Sequence, residues 1–207
     1  MTITENYFIL IRVKYAFTFI ILCLMKITLI RHGESIANVG NYINDDPEKA
    51  VGLTETGKTQ ADSLSLRLRE ETFTHAYASE FPRAQETARI LLQYHHHPLY
   101  IDARLNERKS GMDGQPVHLF NDQVRLDPLH FKTKNGESFL EQMERIRSFL
   151  DELATLYPHG NILAISHENP IIAALALTVE DAESVVFTSL NNCGRLDLCW
   201  PLNTTGV

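Results

Sequence analysis

Cysteine is scarce in this chain: Cys23, Cys193 and Cys199 are the only three in 207 residues. An odd number without metal-ligand spacing argues against a disulfide framework or a structural metal site and points to a reducing compartment. Positive charge is short as well. Nineteen Lys and Arg face 26 Asp and Glu, a formal net charge of −7, which argues against a nucleic-acid partner because such proteins carry a basic stripe. A cationic pocket on an acidic surface stays compatible with this balance, since local focusing need not follow net charge. There is no low-complexity tract and no internal repeat. What remains is ordinary globular composition, 44% hydrophobic and 22% charged, and a length that suits one domain with a real core.

An uninterrupted membrane-length apolar run is also missing. Residues 8–24 are very apolar but carry Arg12 and Lys14, and the uncharged part, Tyr15 to Met25, has 11 residues, too few to span a bilayer. The segment has signal-peptide length, but no small-x-small site precedes Lys26, and Leu22 spoils a lipobox at Cys23. We read residues 1–25 as an apolar extension outside the domain, with Met25 as an alternative start. A membrane-associating segment at 8–24 is the less favoured reading, and a signal peptide the least. The domain is expected over 26–207, cytoplasmic, without a cofactor or metal.

From Lys26 onward, strand-like and helix-like segments alternate. This pattern predicts a three-layer α/β/α fold with a mostly parallel central sheet. Strands are expected at Lys26–Ile30, His75–Ser79, Tyr100-Ile101, Asn161–Ser166, Val185–Thr188 and Leu196–Trp200. Helices are expected after Thr54, from Pro82 to Tyr94, over 138–157 and from Pro170, the last capped by Asn169. In the 138–157 segment Phe139, Met143, Ile146, Leu150, Leu153 and Tyr157 form one stripe, and Ser138 with Glu141 makes a capping box. Residues 106–136 are rich in Gly, Pro, Asp and Asn and long for a connector, which predicts a lid or insertion.

Basic side chains stand where strands end. Arg31 and His32 follow the first strand, Arg83 follows the strand ending at Ser79, and His167 follows the apolar strand ending at Ser166. In a parallel sheet these ends lie along one edge, where ligands bind. Two guanidiniums and two imidazoles around one point suit a phosphoryl group, and the arginine fork holds phosphate oxygens in pairs.

The block Arg31-His32-Gly33-Glu34-Ser35, with Asn38 three residues on, resembles the RHG signature of the histidine phosphatase superfamily, the phosphoglycerate-mutase-like proteins. Further blocks agree in order and spacing: Leu53-Thr54 with Gly57 and Gln60-Ala61, Ser79 through Arg83-Ala84 and Thr87-Ala88, Leu105-Asn106-Glu107-Arg108, Gly136-Glu137-Ser138, and Ser166-His167. The likeness runs from about Lys26 to Leu198 and implies a phosphoglycerate-mutase-like fold and metal-independent phosphomonoester chemistry. By this resemblance His32 is the nucleophile that becomes phosphohistidine and Glu107 the proton donor. Arg31, Arg83 and His167 hold the transferring oxygens, and Ser35 and Asn38 line the pocket; Arg108, by its charge, is a candidate contact for a second anionic group on the substrate. The neighbouring Arg83 and Arg31 should disfavour the cationic form of His32, whereas Glu107 needs an upward shift to hold a proton. By residue type alone Glu80, Glu86 and Glu137 rival Glu107. His118 and His130 lie in the 106–136 segment within reach of a substrate, and His95-His96-His97 reads as a polar helix end. Cys193 reads as a small buried hydrophobe.

One position departs from the family, which usually has glycine after the second histidine. Here it is Glu168. A carboxylate beside a phosphate pocket repels the ligand, so Glu168 is expected to turn away or to bind a positively charged part of the substrate. The sequence has no Arg-Arg pair such as mutases carry in a longer insertion, which favours hydrolysis of a small phosphorylated metabolite over phosphoglycerate-mutase-type transfer; a phosphoprotein substrate stays open. A catalytically silent phospho-ligand-binding module is the alternative of another class.

Overall fold

The computed structural model describes residues 25–200; the apolar segment at 8–24 lies outside them. Five strands make one sheet: β1 Met25–Arg31, β2 His75–Ala78, β3 Leu99–Ile101, β4 Asn161–Ser166 and β5 Arg195–Trp200. Their order is β3-β2-β4-β1-β5. All neighbours are parallel except β5, which runs antiparallel along β1. The mostly parallel sheet is therefore as expected, with an antiparallel edge strand.

The helices α1 Ile36–Gly40, α2 Glu55–Leu68, α3 Pro82–Leu91, α4 Val117–Val124, α5 Phe139–Leu156 and α6 Glu168–Ala176 complete the chain. Alternation along the strands decides the layers. Ile27, Leu29, Ile162 and Ala164 share one core with α5 and α6, which contribute Phe139, Ile146, Leu150, Leu153, Ile171 and Ile172. Ile30, Leu163 and Ile165 point to the other face and pack with Ala61, Leu64, Leu68, Ala84 and Leu91 of α2 and α3. Central strands buried on both faces are why Ile162–Ile165 reads as a continuous apolar run.

Thr54 caps α2 through the Gly57 N–H, and Ser138 with Glu141 caps α5 in a reciprocal box. Of the predicted α5 stripe, Met143 and Tyr157 are only half-buried, while Phe149, one position before Leu150, is fully buried. Two expectations fail. Val185–Thr188 is a turn after a short 3-10 helix at Ala182–Ser184, closed by Thr188 N–H on the Val185 carbonyl. Its β-branched residues gave a strand-like pattern without a partner strand. Helix α6 starts at Glu168 with His167 as N-cap, so Asn169 and Pro170 sit in the first turn, where proline's missing N–H costs no helical bond. The 106–136 segment contains α4 and is tied down at several points: Asp45 accepts from Ser110 N and Gly111 N, and Thr133 Oγ1 donates to the Ser110 carbonyl.

The start of α2 presses directly on the loop after β1. A Cβ on Gly57 would stand 2.0 Å from the Glu34 carbonyl oxygen, and one on Gly33 would stand 2.5 Å from the Gly57 oxygen. Both obstacles are backbone, which cannot swing aside. Gly57→Ala is therefore expected to destabilise the fold by about 2–3 kcal/mol, the upper range for overpacking. Urea midpoints read the effect, and an unchanged midpoint contradicts the close approach.

Candidate active site

Strand register brings the predicted residues together. Arg31 is opposite Ser166, and Ala78 is opposite Ile165, so the residues that follow these strands leave the sheet at one edge. His32 N–H bonds the Ser166 carbonyl at 3.0 Å, and Ser79 N–H bonds the Ile165 carbonyl at 3.1 Å. Arg83 arrives from the first turn of α3, started by Pro82. Glu107 arrives because Ser166 Oγ holds the Leu105 carbonyl at 2.6 Å while Arg145 Nη1 grips the carbonyls of Arg104 and Asn106.

His32 and His167 are buried with ring centroids 5.1 Å apart, edge to face. His32 Nδ1 lies 2.7 Å from the carbonyl of Gly33, and only a protonated Nδ1 can bond there. That assigns the lone pair to Nε2, which accepts from Arg83 Nε at 3.1 Å. Burial holds the His32 pKa well below the usual imidazole value, and the Arg83 and Arg31 charges push the same way. His167 shifts in the same direction, by burial first and then by Arg83. Its Nδ1 accepts from Arg83 Nη2 at 3.2 Å, leaving Nε2–H for Ser79 Oγ at 2.7 Å. Nitrogen-15 NMR titration is expected to find His32 neutral, as the Nδ1–H tautomer, at pH 6.5, because a lowered pKa leaves it unprotonated there. A His32 midpoint at or above 6.5 contradicts this.

Arg83 is the hub. Besides both imidazoles it holds Asn44, through Nη1 to Oδ1 and through Nη2 to the main-chain oxygen at 3.2 Å. Its guanidinium carbon lies 4.4 Å over the Phe81 ring. Burial lowers its pKa to about 10, so it stays charged at neutral pH. Arg31 is held at one end only. Its Nη1 donates to the Leu190 carbonyl and pairs with Glu168 Oε2 at 3.1 Å, whereas its Nε is buried without a hydrogen-bond partner. A buried guanidinium N–H without an acceptor is costly and suits an anionic oxygen.

Glu107 is half-buried, with Oε1 accepting from Arg108 N–H at 2.8 Å. Desolvation raises its pKa against the pull of that N–H, Arg83 and Arg31; the charge of Glu168 adds to the rise. Its rivals are engaged elsewhere: Glu80 accepts from Asn106 Nδ2, Glu86 from Leu53 N–H, and Glu137 pairs with Arg145.

Other expected contacts are not brought into the cluster. Ser35 and Asn38 bond one another in the capping box of α1, and Asn192 Nδ2 also donates to Asn38 Oδ1. Arg108 is buried with its guanidinium on the carbonyls of Glu137 and Phe131 and over the Phe120 ring, so it fastens the 106–136 segment. Glu168 does not turn away; it faces Arg31. Asn44 and Ser79 were missed as partners of the cluster. Ser79 stood inside a recognised block, but no sequence signal marked Asn44. Cys193 is buried, and burial lifts its thiol to about 12, which makes it inert.

The model of the histidine phosphatase superfamily, branch 1, matches residues 27–197. The chain belongs to this superfamily. The chain is similar to the adenosylcobalamin/alpha-ribazole phosphatase of Salmonella typhimurium, with 31% identity over 189 residues covering 84% of this chain and 91% of that one. It is also similar to a probable phosphoglycerate mutase of Erwinia tasmaniensis, 29% identical over 160 residues and covering 70% of each chain. Among solved structures, a putative alpha-ribazole-5'-P phosphatase from Escherichia coli superposes with a TM-score of 0.71 at 26% identity, covering 88% of this chain and 98% of that one.

Among the described residues, no helix is long and apolar enough to cross a membrane, and no three His, Cys, Asp or Glu side chains are grouped to hold one metal ion.

Proposed function

We propose that this chain is a phosphomonoesterase that works through a phosphohistidine on His32, with a small phosphorylated metabolite as substrate. The observation that carries the reading is the tautomer of His32. The Gly33 carbonyl takes Nδ1–H, so the Nε2 lone pair points at Arg83 in the middle of the cationic cluster.

In the first step Nε2 bonds to phosphorus as the bond to the leaving oxygen breaks, and Glu107 supplies the proton that oxygen takes up. Arg83 Nε and the unpartnered Arg31 Nε turn their N–H groups to the phosphoryl oxygens, where preorganised donors stabilise charge. A bound dianion also favours proton uptake on His167 Nδ1, converting it from acceptor to donor. In the second step water attacks phosphorus, the P–N bond breaks, and the Glu107 carboxylate accepts the water proton.

Relatives named as phosphatases and as mutases leave two outcomes for the phosphoenzyme. Hydrolysis is favoured by the lack of an Arg-Arg pair in the sequence. Purified protein is expected to release inorganic phosphate from phosphomonoesters with chelator present, and a phosphoenzyme trapped by rapid quenching should be acid-labile and alkali-stable. Binding of phosphate esters without release across pH 5–8 supports the silent module. Transfer between 3-phosphoglycerate and its isomer, outrunning release, supports the mutase.

A further inference from the structure

Glu168, directly after His167, is built into the site. It is the first residue of α6. One oxygen, Oε1, accepts from Leu190 N–H at 2.9 Å and from Ser189 Oγ at 3.2 Å. The other, Oε2, pairs with Arg31 Nη1 at 3.1 Å, and that nitrogen also donates to the Leu190 carbonyl. Leu190 thus holds both members of the pair through its own peptide groups. The carboxylate is fixed on Arg31 by partners on two sides.

The carboxylate is not sealed off. The Glu168 side chain keeps 29% of its surface accessible and Arg31 only 15%, so the acid is the more solvent-facing member of the pair. It also acts on Glu107, whose pKa it raises. Glu168 therefore lies within electrostatic reach of the group proposed to protonate the leaving oxygen. A phosphoryl group held by Arg31 and Arg83 brings the rest of the ester into the field of Glu168, because its carboxylate sits 3.1 Å from Arg31 Nη1.

We propose that Glu168 is a specificity-determining residue that makes the site prefer phosphomonoesters with a cationic or neutral leaving group over those carrying a second anion. The preference follows from Coulomb's law at the intermediate dielectric of a half-open site. A carboxylate or second phosphate on the leaving group is repelled by Glu168, and the Arg31 charge that would attract it is already paired. An ammonium there is attracted. This rests on the phosphatase reading for its catalytic form and on the geometry alone for its binding form.

The test compares phosphoethanolamine with phosphoglycolate, two-carbon phosphate esters that differ chiefly in leaving-group charge. The unaltered enzyme is expected to favour phosphoethanolamine by at least about tenfold in kcat/KM, well within what a charge a few ångströms away supplies at an intermediate dielectric. Glu168→Gln should reduce that preference by about tenfold, while Glu168→Asp, which keeps the charge, should retain most of it. A residue that merely braced Arg31 would alter both substrates equally. A preference near unity in the unaltered enzyme, or one unchanged in Glu168→Gln, overturns the proposal. The same ratio of affinities is measured by calorimetry in a His32→Ala background with and without Glu168→Gln. That arm decides the proposal even when no phosphate is released, an outcome that would reject the phosphatase reading instead.

Discussion

His32→Ala is expected to lower kcat for phosphate release by at least about 10⁴-fold, the scale on which removal of a nucleophile acts. The size follows from what no neighbour can replace. His167 is 5.1 Å away, ring to ring, and is held there by both ring nitrogens, Nε2–H on Ser79 Oγ and Nδ1 on Arg83 Nη2, so it does not move into the place that His32 leaves. Arg83 and Arg31 would still bind the dianion, and loss of the His32 ring removes the acceptor from Arg83 Nε. Phosphate affinity should therefore survive, which separates a catalytic loss from a folding loss. Inorganic phosphate binding by calorimetry and phosphoenzyme trapping by rapid quench are the paired readouts. Retained phosphate affinity with no trapped phosphoenzyme is the expected result. Turnover within tenfold of the unaltered enzyme would reject His32 as the acceptor. His32→Asn, closer in polarity and shape, guards against a variant that fails for packing reasons.

What the sequence disclosed about this site follows from periodicity. The apolar runs at Ile27–Ile30 and Ile162–Ile165 are long enough to mark buried parallel strands, and parallel register alone brings Arg31, His32, Ser79 and His167 to one edge. Residues outside that frame were harder to place. Asn44 lies in the connection between α1 and α2, where no period constrains the path, yet it supplies two of the bonds on Arg83. Arg108 looked like a substrate cation because it follows Glu107, but its guanidinium had backbone carbonyls of a folded-back segment within reach. Ser35 and Asn38 sit at capping-box spacing; with the motif before them, a site role outweighed the local one that the fold uses. Glu168 stands out in the sequence only as a departure from the pattern of the resembled family. Its partner Leu190 lies 22 residues away, just past the Val185–Thr188 stretch whose β-branched residues suggest a strand. Reading that stretch as a strand hid the turn that brings Ser189 and Leu190 back to α6.

Glu107→Gln is expected to show its largest effect only where the leaving group needs a proton. For alkyl phosphates kcat should fall by about 10³-fold, within the range of a lost general acid. For 4-nitrophenyl phosphate the first step should be nearly intact, because that phenolate departs without help. The second step still lacks its base, so the variant should release one equivalent of nitrophenol in a burst and then turn over slowly. This pattern depends on Glu107 acting in both steps, and its environment supports both. Desolvation pushes its pKa upward, toward a held proton, while Arg83 and Arg31 stabilise the carboxylate left behind. Glutamine keeps the bond from Arg108 N–H, so the variant tests the proton and not the loop. An equal loss for both substrates without a burst would move the acid–base role to another carboxylate. Glu168 would be the first to try, because it pairs with Arg31 and its charge acts on Glu107.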